Sequence, residues 1–232
     1  MTDIKGIIFD YGGTLDTNGT HWFHIFRKAY ATHLPHATEE QLRQAYVYAE
    51  RYLATHPVII TTDDFLAMLK KKVTLQLTAL GIEDKTLSST IAQECDALVR
   101  TNMNQTRHVL ATLSARYPMV LVSNFYGNIH TVLSAYTIDS YFREVIESAV
   151  VGIRKPDPQI FALGIAALGM QPHEVLVVGD SYSKDIVPAH SLGCRTLWLK
   201  GPGWDDTDDN ATASCAHTVI SELSEILEMK WL

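Results

Sequence analysis

Ile4 to Phe9 is a short apolar run that breaks on Asp10-Tyr11-Gly12-Gly13-Thr14, a turn sequence. The pattern predicts a strand that delivers an aspartate to a glycine-rich loop. From about residue 17 to residue 100 the apolar positions return at helical intervals instead. Trp22, Ile25, Phe26 and Ala29 predict one helix. Leu42, Ala45, Tyr46, Ala49 and Leu53 predict a second, with Thr38 and Gln41 spaced as a capping box ahead of it. Leu66, Leu69, Val73, Leu77 and Leu80 predict a third that closes at Gly81, and Leu87, Ile91, Cys95 and Leu98 predict a fourth. No convincing strand separates these stripes, so they read as one helical insert.

After Thr101 the pattern becomes strand, helix, strand. Met119–Val122 and Val175–Val178 are continuous apolar runs, as expected of strands covered on both faces, and Thr196–Leu199 fits the same role less cleanly. Helical stretches fall around Ile129–Ala135, Gln159–Leu168, Ile186–Leu192 and Glu222–Glu228. This order predicts an α/β fold, a doubly wound parallel sheet, with the helical segment inserted after the first strand. The expected division is a core of residues 1–16 and 101–232 and a helical domain of residues 17–100.

Composition narrows the function classes. The 232 residues are 47% hydrophobic and 19% charged, a globular balance. The net charge of −7 offers no general attraction to nucleic acid or anionic membrane, so neither is an expected partner. Within residues 17–100 nine basic and nine acidic side chains cancel, which places the acidic excess on the core. Cys95, Cys194 and Cys215 are too few and too scattered for a disulfide framework or a zinc site. No run of 18 apolar residues exists, and the first residues lack a basic stretch followed by a long apolar one, so a cytoplasmic location is expected.

The candidate chemistry sits where such sheets bind ligands, beyond the carboxyl ends of the strands. The first strand ends in Asp10, and the Val120 strand ends in Ser123-Asn124. Lys155 lies in Arg154-Lys155-Pro156, just before the helix opened by Asp157-Pro158. The Val175 strand ends in Gly179-Asp180, with Asp185 close behind. Clustered carboxylates repel unless a cation joins them, and an all-oxygen donor set favours a hard ion such as Mg²⁺. A lysine and a serine nearby can hold phosphoryl oxygens, and an aspartate can attack phosphorus.

The segments FDYGGTL (Phe9–Leu15), LVSN (Leu121–Asn124), VGIRKPDPQIF (Val151–Phe161) and VVGDSYSKDI (Val177–Ile186) resemble those of the haloacid dehalogenase (HAD) superfamily. The resemblance covers the core and implies a Rossmann-like fold. The insert is similar to the family's α-helical cap of the first type. By this resemblance Asp10 is the nucleophile that forms an aspartyl-phosphate. Asp10, the Gly12 carbonyl and Asp180 ligate Mg²⁺, and Ser123 and Lys155 bind phosphate. Asp185 orients Lys155 or a metal-bound water, Thr14 braces the first loop, and Asn124 touches substrate. The implied activity is a Mg²⁺-dependent phosphatase for a small phosphorylated metabolite.

One position departs from that pattern. The family's phosphatases carry a second aspartate two residues after the nucleophile, to protonate the leaving group and then activate water. Gly12 stands there and cannot move a proton. Asp16, His21 and His24 are the nearest candidate substitutes in sequence, and each reads more readily as a loop or cap-surface group. The alternatives are an impaired protein that binds a phospho-ligand, a metal-free dehalogenase, or a phosphonate hydrolase using a cap lysine such as Lys28. Gly179-Asp180 with Asp185 is the metal-binding form of the last motif, which weighs against the dehalogenase. Trp22, His21, His24, Arg27 and the segment Thr55–Asp64 are expected to face substrate. Lys70-Lys71-Lys72 reads as a solvated helix face, and Asp205–Asp209 as a solvated loop.

Overall fold

The computed structural model describes residues 3–204 and 213–229. The expected Asp205–Asp209 loop lies outside the described residues. Among the described residues one six-stranded sheet runs in the order β3-β2-β1-β4-β5-β6, every neighbouring pair parallel. The strands are β1 (Gly6–Phe9), β2 (Met119–Ser123), β3 (Glu144–Glu147), β4 (Val175–Gly179), β5 (Arg195–Leu199) and β6 (Thr218–Ile220). The doubly wound parallel sheet is therefore present, with the order reversing at β1.

The continuous apolar runs follow from this arrangement. Ile7, Phe9, Met119, Leu121, Leu176 and Val178 point to one face and pack in one core. Ile8, Val120, Val122, Val175 and Val177 point to the other face and pack in a second. Strands with both faces covered need no polar alternation. The edge strands β3 and β6 went unread because Glu144-Val145-Ile146-Glu147 and Thr218-Val219-Ile220 are short and partly polar.

The described residues between β1 and β2 form four helices: α1 (Trp22–His33), α2 (Glu39–Thr55), α3 (Phe65–Ala79) and α4 (Lys85–Ser114). Side-chain caps start each of them. Thr38 and Gln41 form the expected capping box on α2, while Asp64 and Asp84 accept from Ala67 N–H and Leu87 N–H. Such a cap contributes about 1 kcal/mol. Gly81, just past the end of α3, has φ +76°, and Ile82 N–H returns to Leu77 O to close the turn.

The fourth helix is longer than its stripe. It runs 30 residues, passing through residue 100 without a break into the core, where Val109, Leu110 and Leu113 are buried. Its buried line takes Val99 and leaves Leu98 exposed, a correction to the expected stripe. Two later segments also differ from expectation. Residues 182–186 form one π-helical turn ahead of the short α8 (Val187–Ser191), and Leu223–Glu228 is a 3₁₀ helix. The helices α5 (Ile129–Ala135), α6 (Ser148–Val151) and α7 (Gln159–Leu168) complete the core.

Among the described residues no helix is long and apolar enough to cross a membrane. Burial pushes the thiols of Cys95 and Cys194 up to about 12, so both are unreactive packing groups.

Candidate active site

Parallel pairing places the ends of β1, β2 and β4 side by side. Phe9 is level with Leu121 on one neighbour and Val178 on the other, so the next residues leave the sheet together. Asp10 N–H still bonds to Val178 O at 2.9 Å, which fixes the point of departure. The loop beyond Asp10 is held from below by α4. Thr106 Oγ1 donates to Leu15 O at 2.8 Å, and Asn102 Nδ2 donates to Leu15 O and Asp16 O. Gly13 has φ +97°, and a Cβ there would collide with the Asp180 carboxylate. Glycine at this position thus meets both a backbone and a space requirement.

Five of the expected site residues meet in one cluster. Lys155 Nζ lies 2.5 Å from Asp10 Oδ1 and 2.7 Å from Asp185 Oδ1. Thr14 Oγ1 donates within reach of both Asp10 Oδ2 (3.1 Å) and Asp180 Oδ1 (3.0 Å), and accepts from Asp180 N–H at 3.0 Å. Ser181 N–H donates to Asp185 Oδ2 at 3.1 Å, an anchor set by the π-helical turn. Ser123 is buried at the end of β2 and lines the same cavity, as does Gly12. Asn124 also lines this cavity and has a further task. Its Nδ2 donates to Lys155 O and its Oδ1 accepts from Lys155 N–H, so it clamps the lysine's backbone.

The charges are under strain that a cation would relieve. Burial pushes the Asp10 carboxyl up to about 6, against the pull of the Lys155 ammonium and with the added push of Asp185. Burial and the neighbouring Asp10 and Asp185 charges hold Asp180 well above the usual carboxylate range. For Lys155, burial works against the charge, but Asp10 and Asp185 outweigh it and keep the ammonium above its ordinary value. The Lys155 ammonium thus pairs with two of three carboxylates, whose oxygens can be chosen within 4.8 Å of one another. An oxygen-only set with excess negative charge fits a hard divalent cation.

The cavity over this cluster measures about 390 Å³. Trp22 and His21 line it, as expected, while Arg27 and the segment Thr55–Asp64 do not. Arg27 instead pairs with Glu39 in solvent, and His24 Nε2 bonds to Gly203 O at 2.7 Å. Lys28 is exposed on α1 and absent from the lining. Burial, with Lys184 nearby, pushes His21 down to about 3, so its ring is neutral. Asp16 is buried to 1% exposure, not a surface group. It accepts from Gly13 N–H and Trp22 Nε1–H, both at 2.7 Å, and burial pushes its carboxyl up to about 7.

Among the lining residues that sequence reasoning missed are Glu50, Lys72 and Tyr126. Lys72 is not part of a solvated run. It is 5% exposed and paired with Glu50, and Lys71 pairs with Asp63. The signal available was position. Lys72 sits beside Val73 in the buried stripe of α3, and Glu50 beside Ala49 in that of α2.

A parallel sheet with a buried acid cluster at its switch point is the architecture of an α/β enzyme whose site lies at the strand ends. The family model for haloacid dehalogenase-like hydrolases matches residues 4–193, and the chain belongs to that family. Among curated relatives, a glyceraldehyde 3-phosphate phosphatase of Pyrococcus furiosus is 34% identical over 92 residues, 40% of this chain and 38% of the relative. A phosphoserine phosphatase of Thermus thermophilus is 41% identical over 59 residues, 25% of this chain and 24% of the relative. The chain thus matches well under half the length of either. Among solved structures, a dehalogenase with an intermediate complex superposes with TM-score 0.65 at 19% identity, over 98% of this chain and 97% of that one. A HAD phosphatase from Thermococcus onnurineus superposes with TM-score 0.52 at 20% identity, over 97% of each. These two likenesses show the fold alone.

Proposed function

We propose that this protein is a phosphohydrolase that attacks a small phosphorylated metabolite with the Asp10 carboxylate. The observation that carries the reading is the buried Asp10–Lys155–Asp185 chain beside Asp180 and Thr14. Asp10 attacks phosphorus, the bond to the leaving oxygen breaks, and an aspartyl-phosphate remains for water to cleave. Lys155 and Ser123 hold the phosphoryl oxygens, while Thr14 and Asp185 keep Asp10 and Lys155 in place. Asp10, Asp180 and the Gly12 carbonyl would hold Mg²⁺, which supplies charge neutralisation for the phosphoryl group. The helical insert, residues 17–100, acts as a cap that admits substrate and then excludes water.

Gly12 favours a second reading, a phospho-ligand binder with weak turnover, because no proton donor stands at that position. The test is phosphate release from phosphorylated metabolites with and without Mg²⁺. Turnover that requires Mg²⁺ and disappears in Asp10→Asn supports the enzyme. Ligand binding without turnover supports the binder. Halide release from haloacids in the absence of metal overturns both.

A further inference from the structure

Opposite the acid cluster, the cavity roof carries a second charged group. Glu50 comes from α2 and Lys72 from α3, and Tyr126 comes from the loop after β2. Lys72 Nζ lies 2.7 Å from Glu50 Oε1 and donates to Tyr126 Oη at 3.0 Å. Tyr126 Oη in turn donates to Glu50 Oε2 at 2.6 Å. Burial works against both charges, yet each holds the other ionised, with Lys72 above and Glu50 below its ordinary range.

A buried ion pair at this position is weak evidence for stability, because apolar residues of similar volume often do as well. Its effect on a ligand is sharper. The pair is neutral overall, yet it keeps spare hydrogen-bonding capacity. The ammonium has three N–H donors, and Tyr126 takes one of them. Glu50 Oε1 meets Lys72 as an ion without accepting a well-oriented hydrogen bond. The same cavity is lined by Trp22, Tyr46 and Phe65, faces suited to C–H surfaces, and by the cations Arg154 and Lys184.

We propose that Glu50, Lys72 and Tyr126 select the leaving group: an uncharged, hydroxyl-bearing alcohol, in preference to one carrying a carboxylate or an ammonium. This rests on the phosphohydrolase reading above. A hydroxyl both donates and accepts, so it joins the pair without breaking it. A carboxylate brings a second negative charge beside Glu50, and an ammonium a second positive charge beside Lys72. Each then loses the compensation that makes a buried pair tolerable.

The test uses three phosphate esters that differ at this end: glycerol 3-phosphate, phosphoglycolate and phosphoethanolamine. Each is read as a competitive inhibitor of aryl phosphate hydrolysis, so slow turnover of alkyl esters does not interfere. Ratios of Ki within one variant cancel differences in active fraction. In the wild type glycerol 3-phosphate binds roughly tenfold tighter than either charged ester. Glu50→Gln leaves an unpaired ammonium and shifts the ratio roughly tenfold toward phosphoglycolate. Lys72→Gln shifts it similarly toward phosphoethanolamine. Tyr126→Phe keeps both charges, guards against misfolding of the other two, and weakens glycerol 3-phosphate about threefold. Aryl phosphate turnover with ratios unmoved in the variants, or a wild-type preference for either charged ester, overturns the inference alone. Absence of any aryl phosphate turnover overturns it together with the phosphohydrolase reading.

Discussion

Lys155 and Asp10 stand 145 positions apart in the chain, and their side chains meet at 2.5 Å in a site almost closed to solvent. On the phosphohydrolase reading, this contact favours the ionised carboxylate that a nucleophile needs. Without the ammonium, only the Thr14 hydrogen bond would oppose burial and the Asp185 charge at Asp10. Lys155→Met is therefore expected to lower turnover by about 10²–10³. The same change strands two buried carboxylates and costs about 3–5 kcal/mol of stability. The rising limb of the pH–rate profile, set by ionisation of Asp10, moves to higher pH. Steady-state kinetics across pH and urea unfolding check the three effects.

Gly12→Asp tests the missing proton carrier. A Cβ at Gly12 meets nothing within 4 Å, so the side chain enters open cavity. Turnover of alkyl phosphates is expected to rise by about 10²–10⁴, and that of aryl phosphates far less, because a phenolate leaves without a proton. An equal gain for both classes would contradict this account of Gly12.

Mg²⁺ is expected to raise the unfolding temperature, since a cation relieves repulsion among Asp10, Asp180 and Asp185. At a hundredfold excess over Kd the gain is about 2.7 kcal/mol. Asp180→Asn removes one carboxylate from the set and should abolish most of the shift. Calorimetry with and without a chelator reads both.

Asp16 predicts a pH dependence of folding. Its carboxyl is pushed from an ordinary 3.8 up to about 7 by burial, so between those values the native state holds a proton that the unfolded chain has lost. Stability therefore falls as pH rises through that window, by roughly 4 kcal/mol at most, and levels off above it. Asp16→Asn removes the titration and should flatten the slope of unfolding free energy between pH 5 and 7. A slope unchanged in that variant would show that other groups carry it.

Much of the fold was readable because its signals are local. The runs Met119–Val122 and Val175–Val178 are apolar on both sides of the pleat, and this sheet covers both faces. The capping box of Thr38 and Gln41 needs only four residues to form. The edge strand β6 and the exposure of Leu98 were not readable, since each depends on what lies beside it.

The candidate site divides in the same way. Asp10, Ser123, Lys155, Asp180 and Asp185 announce themselves by residue type at strand ends and loops, where a parallel sheet must gather them. Asn124 announces itself there too, but its hold on the Lys155 backbone, 31 positions away, did not. Nor did Lys72, which looks like a solvated lysine within a run of three until Glu50 and Tyr126 arrive from other segments.

By itself the sequence determined the parallel α/β core, the helical insert and the acidic chemistry at the strand ends, because strand periodicity, capping and loop composition act over a few residues. Only the tertiary structure decided which charges are buried and with whom they pair. That outcome depends on desolvation and Coulomb interactions between groups distant in the chain, and these act only once the fold has removed the water between them.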